Sequence, residues 1–283
     1  MFYVSTTFIK DNLPIKNAIS KLLKNSIFNV ELGSNHAYEK SYLYLKKYKA
    51  NYCVHNYFPI PKKSIVINIA SQNKQIREKS LKHIKKAIKF SKKINAKLYT
   101  FHPGFLTDPD GSNISSKNYD FLWNKKKLLT SNYKKSWKFM IGSIKKIVRF
   151  AKKESVKIAI ETEGSINSKD HLLMQRPEEY VKFFRIFKKK DIGINLNFGH
   201  LNLASRAFSF NKFKFVKSIS GRIVAMELSH NFGKKDDHLP IRKGAWYWKI
   251  IKNPKFKKIP KILEFRNTNI SKIEKTYKLV CEK

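Results

Sequence analysis

Residues 222–244 read RIVAMELSHNFGKKDDHLPIRKG. Ile223, Val224, Ala225 and Met226 form an apolar run too short for a helix and suited to a buried strand. Glu227, His230, Asp236, Asp237 and His238 follow at and beyond its C-terminal end. Carboxylates and imidazoles gathered at the end of such a strand belong in a cleft, because burying them unpaired in a core is costly. A single stretch of this kind also reads as a solvated loop, so the rest of the chain decides between the two.

Outward from that stretch the same grammar repeats. Short β-rich runs lie at Phe2–Ser5, Asn29–Leu32, Tyr52–Asn56, Lys97–Phe101, Val156–Ile160, Ile192–Leu196 and Lys261–Phe265. Between them, apolar residues recur at helical spacing over Leu13–Leu23, Ala37–Tyr48, Gln75–Ile94, Ser136–Glu154, a segment from Pro177 through Phe184, Phe213–Ile219, Trp246–Ile251 and Ile270–Val280. Eight strands separated by helices predict parallel pairing, since each return needs a crossover. The expected fold is therefore α/β, a (β/α)8 TIM barrel, and 283 residues match the roughly 250 such a barrel takes. A doubly wound open sheet is the runner-up, but its Gly-rich turn after the first strand, GxGxxG, is absent. Residues 1–283 read as one barrel domain, and the polar segment around Leu106–Tyr133 makes 103–134 a candidate lid.

Barrels of this type carry their chemistry at the C-terminal ends of the strands. His55 ends the third strand, His102 follows the fourth, Glu161 the fifth, Asn197 and His200 the sixth, Glu227 and His230 the seventh, and Glu264 and Arg266 end the eighth. Asp236 and His238 lie on the loop after the seventh, whereas His36, His83 and His171 look peripheral. Each residue alone has a bland reading as a hydrogen-bonded or ion-paired structural group. Their convergence points to a metal or acid/base site in which oxygen and nitrogen donors suit manganese, magnesium, cobalt or zinc.

Sixty Lys and Arg against 20 Asp and Glu give a formal charge of +40, a field that attracts anionic partners. The lysines are spread along the chain as KK pairs on outer helix faces, and none forms a basic tail or a nucleic-acid motif, so composition accounts for them better than nucleic-acid binding does. Cys53 and Cys281 form no CxxC, which supports neither a disulfide framework nor a zinc knuckle and suits a reducing cytoplasm. No apolar run reaches the roughly 18 residues of a membrane helix, and the N-terminus lacks the pattern of a secretory leader.

Taken in order, INIASQNKQIREKSLKHIKKAIKFSKKINAKLYTFHPGF (67–105), IAIETEG (158–164), NLNFGHLNLA (195–204) and DDHLPIRKG (236–244) resemble the xylose-isomerase-like barrels. That group includes sugar-phosphate isomerases and epimerases and the endonuclease IV type of abasic-site nuclease. The resemblance implies a divalent metal held from strands five to eight, by position Glu161, Asn197, Glu227 and Glu264. Two of these depart from the pattern: Asn197 stands where the group has Asp, and Glu227 where it has His. His230 falls where Asp is frequent, and of the loop's two glycines only Gly244 is present, Arg242 replacing the other.

For an isomerase or epimerase the resemblance implies Glu161 and Glu264 as the acid/base pair next to a substrate carbonyl. His55, His102, His200, His230, His238 and Asp236 would then contact a small carbohydrate, with Arg266 available for a phosphate. The alternatives are an endonuclease IV-like nuclease acting on abasic DNA and a non-catalytic sugar- or nucleic-acid-binding barrel.

Overall fold

The computed structural model describes residues 1–112, 121–168, 171–266 and 268–282. Eight parallel strands close a barrel: β1 (Phe2–Ser5), β2 (Asn29–Leu32), β3 (Asn51–His55), β4 (Tyr99–Phe101), β5 (Ile158–Glu161), β6 (Gly193–Asn197), β7 (Ile223–Leu228) and β8 (Lys261–Leu263). Each strand pairs with its sequence neighbours, and β1 pairs with β8 to complete the ring. All eight runs read from the sequence are strands, with no end moved by more than two residues.

Period-two alternation along the strands explains where the site lies. Tyr3, Cys53, Ala159, Ala225 and Ile262 belong to a small apolar cluster separate from the main core. Two residues further along the same strands stand Ser5, His55, Glu161, Glu227 and Glu264, on the same side of the sheet and one layer nearer the C-terminal mouth. An apolar plug thus floors a polar chamber. The larger core lies between strands and helices, with Ile84, Ala87 and Ile88 of helix Lys74–Lys93 and Ile144, Ile147 and Ala151 of helix Tyr133–Glu154 among its buried members.

Three segments differ from the sequence reading. Ala37–Tyr48 is not a helix; only Leu43–Lys47 forms a short 3-10 turn. The Tyr42 hydroxyl donates to the Ala37 carbonyl and accepts from the Glu39 amide, closing a local loop that competes with helical bonding. Phe198–Ala207, for which the apolar spacing predicts no helix, is helical. In the candidate lid, Gly111–Ser112 pairs with Phe121–Leu122 as a two-stranded ribbon and Lys125–Leu129 is a short helix; positions 113–120 lie outside the described residues. Among the described residues, no helix is long and apolar enough to cross a membrane.

Candidate functional site

Strand register brings the polar chamber together. β6 and β7 align Asn197 with Glu227, β5 and β6 align Glu161 with Asn195, and β3 and β4 align His55 with Thr100. Neighbouring strands lie about 4.8 Å apart, so side chains on the inner face of adjacent strands reach one another. Glu161, Glu227, Glu264, Asn197, His55, His200 and His238 are all buried.

Glu161 is the hub. Its Oε1 accepts from Asn197 Nδ2 at 2.9 Å and lies 3.1 Å from His200 Nδ1, and its Oε2 lies 3.7 Å from both His55 Nε2 and His102 Nδ1. Glu227 accepts from Asn195 Nδ2 at 2.7 Å and Asn197 Nδ2 at 3.0 Å. On the loop after β7, Asp236 Oδ2 sits 2.8 Å from His238 Nε2 and 3.4 Å from His200 Nε2. The other nitrogen of His238 is 3.2 Å from Glu264 Oε2, linking that loop to the end of β8.

Charges divide accordingly. Burial alone would raise Glu161, but the imidazoles of His102, His200 and His55 outweigh it and hold the carboxyl well below its usual range. Asp236 is held low against burial by His238 and His200, and Glu264 is pulled down to about 2, chiefly by His238. In return, Glu161 and Glu163 lift His102 to about 9, and Glu264 and Asp236 lift His238 to about 9, against the opposing effect of burial. His200 rises well above the ordinary imidazole value through Asp236 and Glu161 once burial is overcome. Glu227 goes the other way: burial, and then the charges of Glu161, Glu264 and Glu31, push it well above the carboxylate range. Glu31 is raised by burial and by Glu264. His55 is lowered, because burial there exceeds the pull of Glu161.

The chamber offers two donor sets that fit a divalent metal. His55, His102 and His200 each spend Nδ1 on the protein: on Thr100 Oγ1 at 2.8 Å, Glu163 Oε1 at 2.6 Å and the Thr162 carbonyl at 2.9 Å. Such anchoring fixes the ring and leaves Nε2 for a metal, as is usual around ligating imidazoles. Among the described residues, the buried Glu161 Oε2 and Asp236 Oδ1 have no hydrogen-bond partner. Ligand atoms of His55, His102 and Glu161 lie within 4.8 Å of one another, as do those of His200, Asp236 and His238. Mixed imidazole and carboxylate sets of this kind suit zinc, manganese or cobalt. A third group, Glu31, His55 and Glu227, meets the same distance limit but contains the two raised carboxyls.

Of the four positions transferred by resemblance, Glu161, Glu227 and Glu264 are carboxyls in the chamber, while Asn197 faces it with its amide nitrogen, which has no lone pair for a metal. His230 stands apart: its Nδ1 meets the Tyr247 hydroxyl at 3.2 Å, and its backbone pairs with Leu239. Arg266 is exposed, its amide donating to the His238 carbonyl. His36 and His83 are buried and lowered to about 4 by burial, and neither joins these groups. Sequence reasoning did not single out Glu31, Glu163, Asn195, Thr100 and Thr162. A Glu inside the short apolar run NVEL and the paired amides of NLN were the available signals.

The sequence pattern described as "Xylose isomerase-like TIM barrel" matches residues 37–280. Uncharacterized protein MJ1311 of Methanocaldococcus jannaschii is 22% identical over 214 residues, 75% of this chain and 64% of that protein, so the chain spans under two thirds of that relative's length. Among solved structures, a D-tagatose 3-epimerase-like protein superposes with a TM-score of 0.73 at 20% identity, over 99% of this chain and 95% of the other. D-Psicose 3-epimerase with D-tagatose from Clostridium cellulolyticum H10 gives 0.65 at 12% identity, over 99% and 96%. Identity this low carries the fold alone. The match across most of the chain, together with the closed eight-stranded ring and its polar mouth, leads to one assignment: the chain belongs to the xylose isomerase-like TIM barrel family.

Proposed function

We propose that this chain is a metal-dependent sugar or sugar-phosphate isomerase or epimerase in which Glu161 and Glu264 handle the proton. The observation that carries this reading is the pairing of two ionised, buried carboxylates at the ends of β5 and β8 with imidazolium partners, His200 at 3.1 Å and His238 at 3.2 Å. An ionised carboxylate removes a proton from carbon next to a carbonyl. The carboxylate that takes the proton becomes a carboxylic acid, which can return it to carbon, while the Nδ1 atoms of His200 and His238 hold the two carboxyls in place. The sugar epimerases among the structural neighbours support the substrate class, and Arg266, exposed beyond β8, suits a phosphate at the chamber's edge.

A divalent ion, manganese, magnesium, cobalt or zinc, held by His55, His102 and Glu161 or by His200, Asp236 and His238, supplies Lewis-acid polarisation when bound. The second group leaves Glu161 free as a base. Solvent deuterium incorporation at the substrate carbon, measured across a panel of aldoses, ketoses and their phosphates, tests the assignment. Glu161→Gln and Glu264→Gln are each expected to lower exchange by about 100-fold or more. Wild-type exchange in both variants removes the pair from the chemistry.

One observation favours a second reading, cleavage of a phosphodiester. The two donor groups share no residue, and two adjacent metal positions suit in-line displacement at phosphate. Nicking of abasic duplex DNA by the metal-loaded protein, with no deuterium exchange on any sugar, would replace the first reading with this one.

A further inference from the structure

The position between Glu161 and Glu227 is filled by the protein itself. Asn197 Nδ2 donates to Glu161 Oε1 at 2.9 Å and to Glu227 Oε2 at 3.0 Å, so one amide group spans two carboxyls from two different strands. The orientation of that amide is fixed by its other end. Asn197 is the N-cap of helix Phe198–Ala207, and its Oδ1 accepts the His200 backbone N–H at 3.1 Å. A backbone N–H can only donate, so the atom facing it must be the oxygen, which leaves the nitrogen facing the carboxyls. Asn195 Nδ2 then holds the second oxygen of Glu227 at 2.7 Å.

We infer that Asn197 acts as a built-in substitute for a cation, holding Glu161 and Glu227 together by hydrogen bonds, so that no metal ion binds between them. Turning the amide to offer its oxygen would uncap the helix and withdraw both donors from buried carboxyls. Both oxygens of Glu227 already accept amide hydrogens, from Asn195 and Asn197, which also withdraws Glu227 from its group with Glu31 and His55, so divalent ions are confined to the other two groups, one around His55 and His102 and one around His200, Asp236 and His238. This holds whichever reaction the chamber performs, since it concerns where positive charge resides. Asn197 is a positioning residue: it keeps Glu161 turned toward His55, His102 and His200 without contacting a reacting atom.

The test counts ions. Protein stripped with chelator, reloaded with manganese or zinc and freed of excess ion by gel filtration is analysed for bound metal per chain. Glu227→Gln keeps the wild-type count, because Glu227 is not a ligand. Asn197→Asp, which exchanges the bridging donor for a carboxylate, gains one further equivalent and shows a larger rise in melting temperature on metal addition than the wild type does. Loss of an equivalent from Glu227→Gln overturns the proposal, as does a soluble Asn197→Asp protein with an unchanged count. If Asn197→Asp does not fold, the Glu227→Gln count decides alone.

Discussion

At the scale of single residues, the chamber couples stability to pH from both sides. His102 and His238, raised from 6.5 to about 9, contribute stability that is full below about 6.5 and is lost as pH climbs through 9. Glu31 and Glu227, raised above 4.5, act in the same direction, since ionising them in the folded state carries the penalty of burial and of like charge. Glu264, lowered to about 2, contributes above 4.5 and is lost as pH falls toward 2. Metal-free protein should therefore lose melting temperature steadily between pH 7 and 10. Glu227→Gln removes one buried ionisation while keeping the side-chain shape, so its decline as pH rises from 4.5 upward should be shallower. A calorimetric series in which the two curves run parallel would contradict the raised Glu227. His238 also sits at φ 47°, in the left-handed region, a conformation that persists where surroundings dictate it; here Asp236 and Glu264 flank both of its ring nitrogens.

At the scale of elements, the junction between β5 and the helix after β6 depends on a missing side chain. A Cβ on Gly164 would fall on the carbonyl of His200, a backbone atom that cannot step aside cheaply. Gly164→Ala should therefore push the first turn of helix Phe198–Ala207 away from β5, separating His200 from Glu161. The expected cost is about 1–3 kcal/mol of stability, with a melting-temperature loss of about 2–4 °C per kcal/mol. Activity should fall further than stability alone explains, because His200 also serves Asp236. Thermal melts and exchange rates on the same preparation separate the two effects, and a variant unchanged in both would show that the contact relaxes freely. How far this site was legible follows from its elements. Strand ends could be read because period-two apolar runs stop where polar residues begin, so Glu161, Asn197, Glu227 and Glu264 stood out. Glu31, Glu163 and Asn195 did not, because each lies in or beside a strand whose inward face only the closed ring reveals.

At the scale of the whole molecule, the charge of +40 surrounds a chamber in which raised imidazoles oppose lowered carboxyls. The outer lysines and the inner site are separate electrostatic problems. Exposed charges are screened beyond about 8 Å at physiological ionic strength, whereas the buried set is screened much less. Binding of duplex DNA through the outer surface should weaken by orders of magnitude between 50 and 200 mM salt. Deuterium exchange on a neutral sugar should change less than about twofold over the same range. A sugar reaction with the steep salt dependence of the DNA binding would place the outer lysines in substrate capture.

The sequence by itself determined the alternation of eight strands with helices, the barrel that follows, and most of the residues at its mouth. Local patterning carries that information, because strand period and chain direction place polar residues at the C-terminal ends. Tertiary structure alone decided which way those residues face and what each one holds. That Asn197 offers nitrogen and not oxygen follows from the helix it caps and the two carboxyls on neighbouring strands. That His230 leaves the chamber for Tyr247 follows from the course of the loop. Hydrogen-bond direction and buried charge are properties of groups distant in sequence, and they come into being only when the barrel closes.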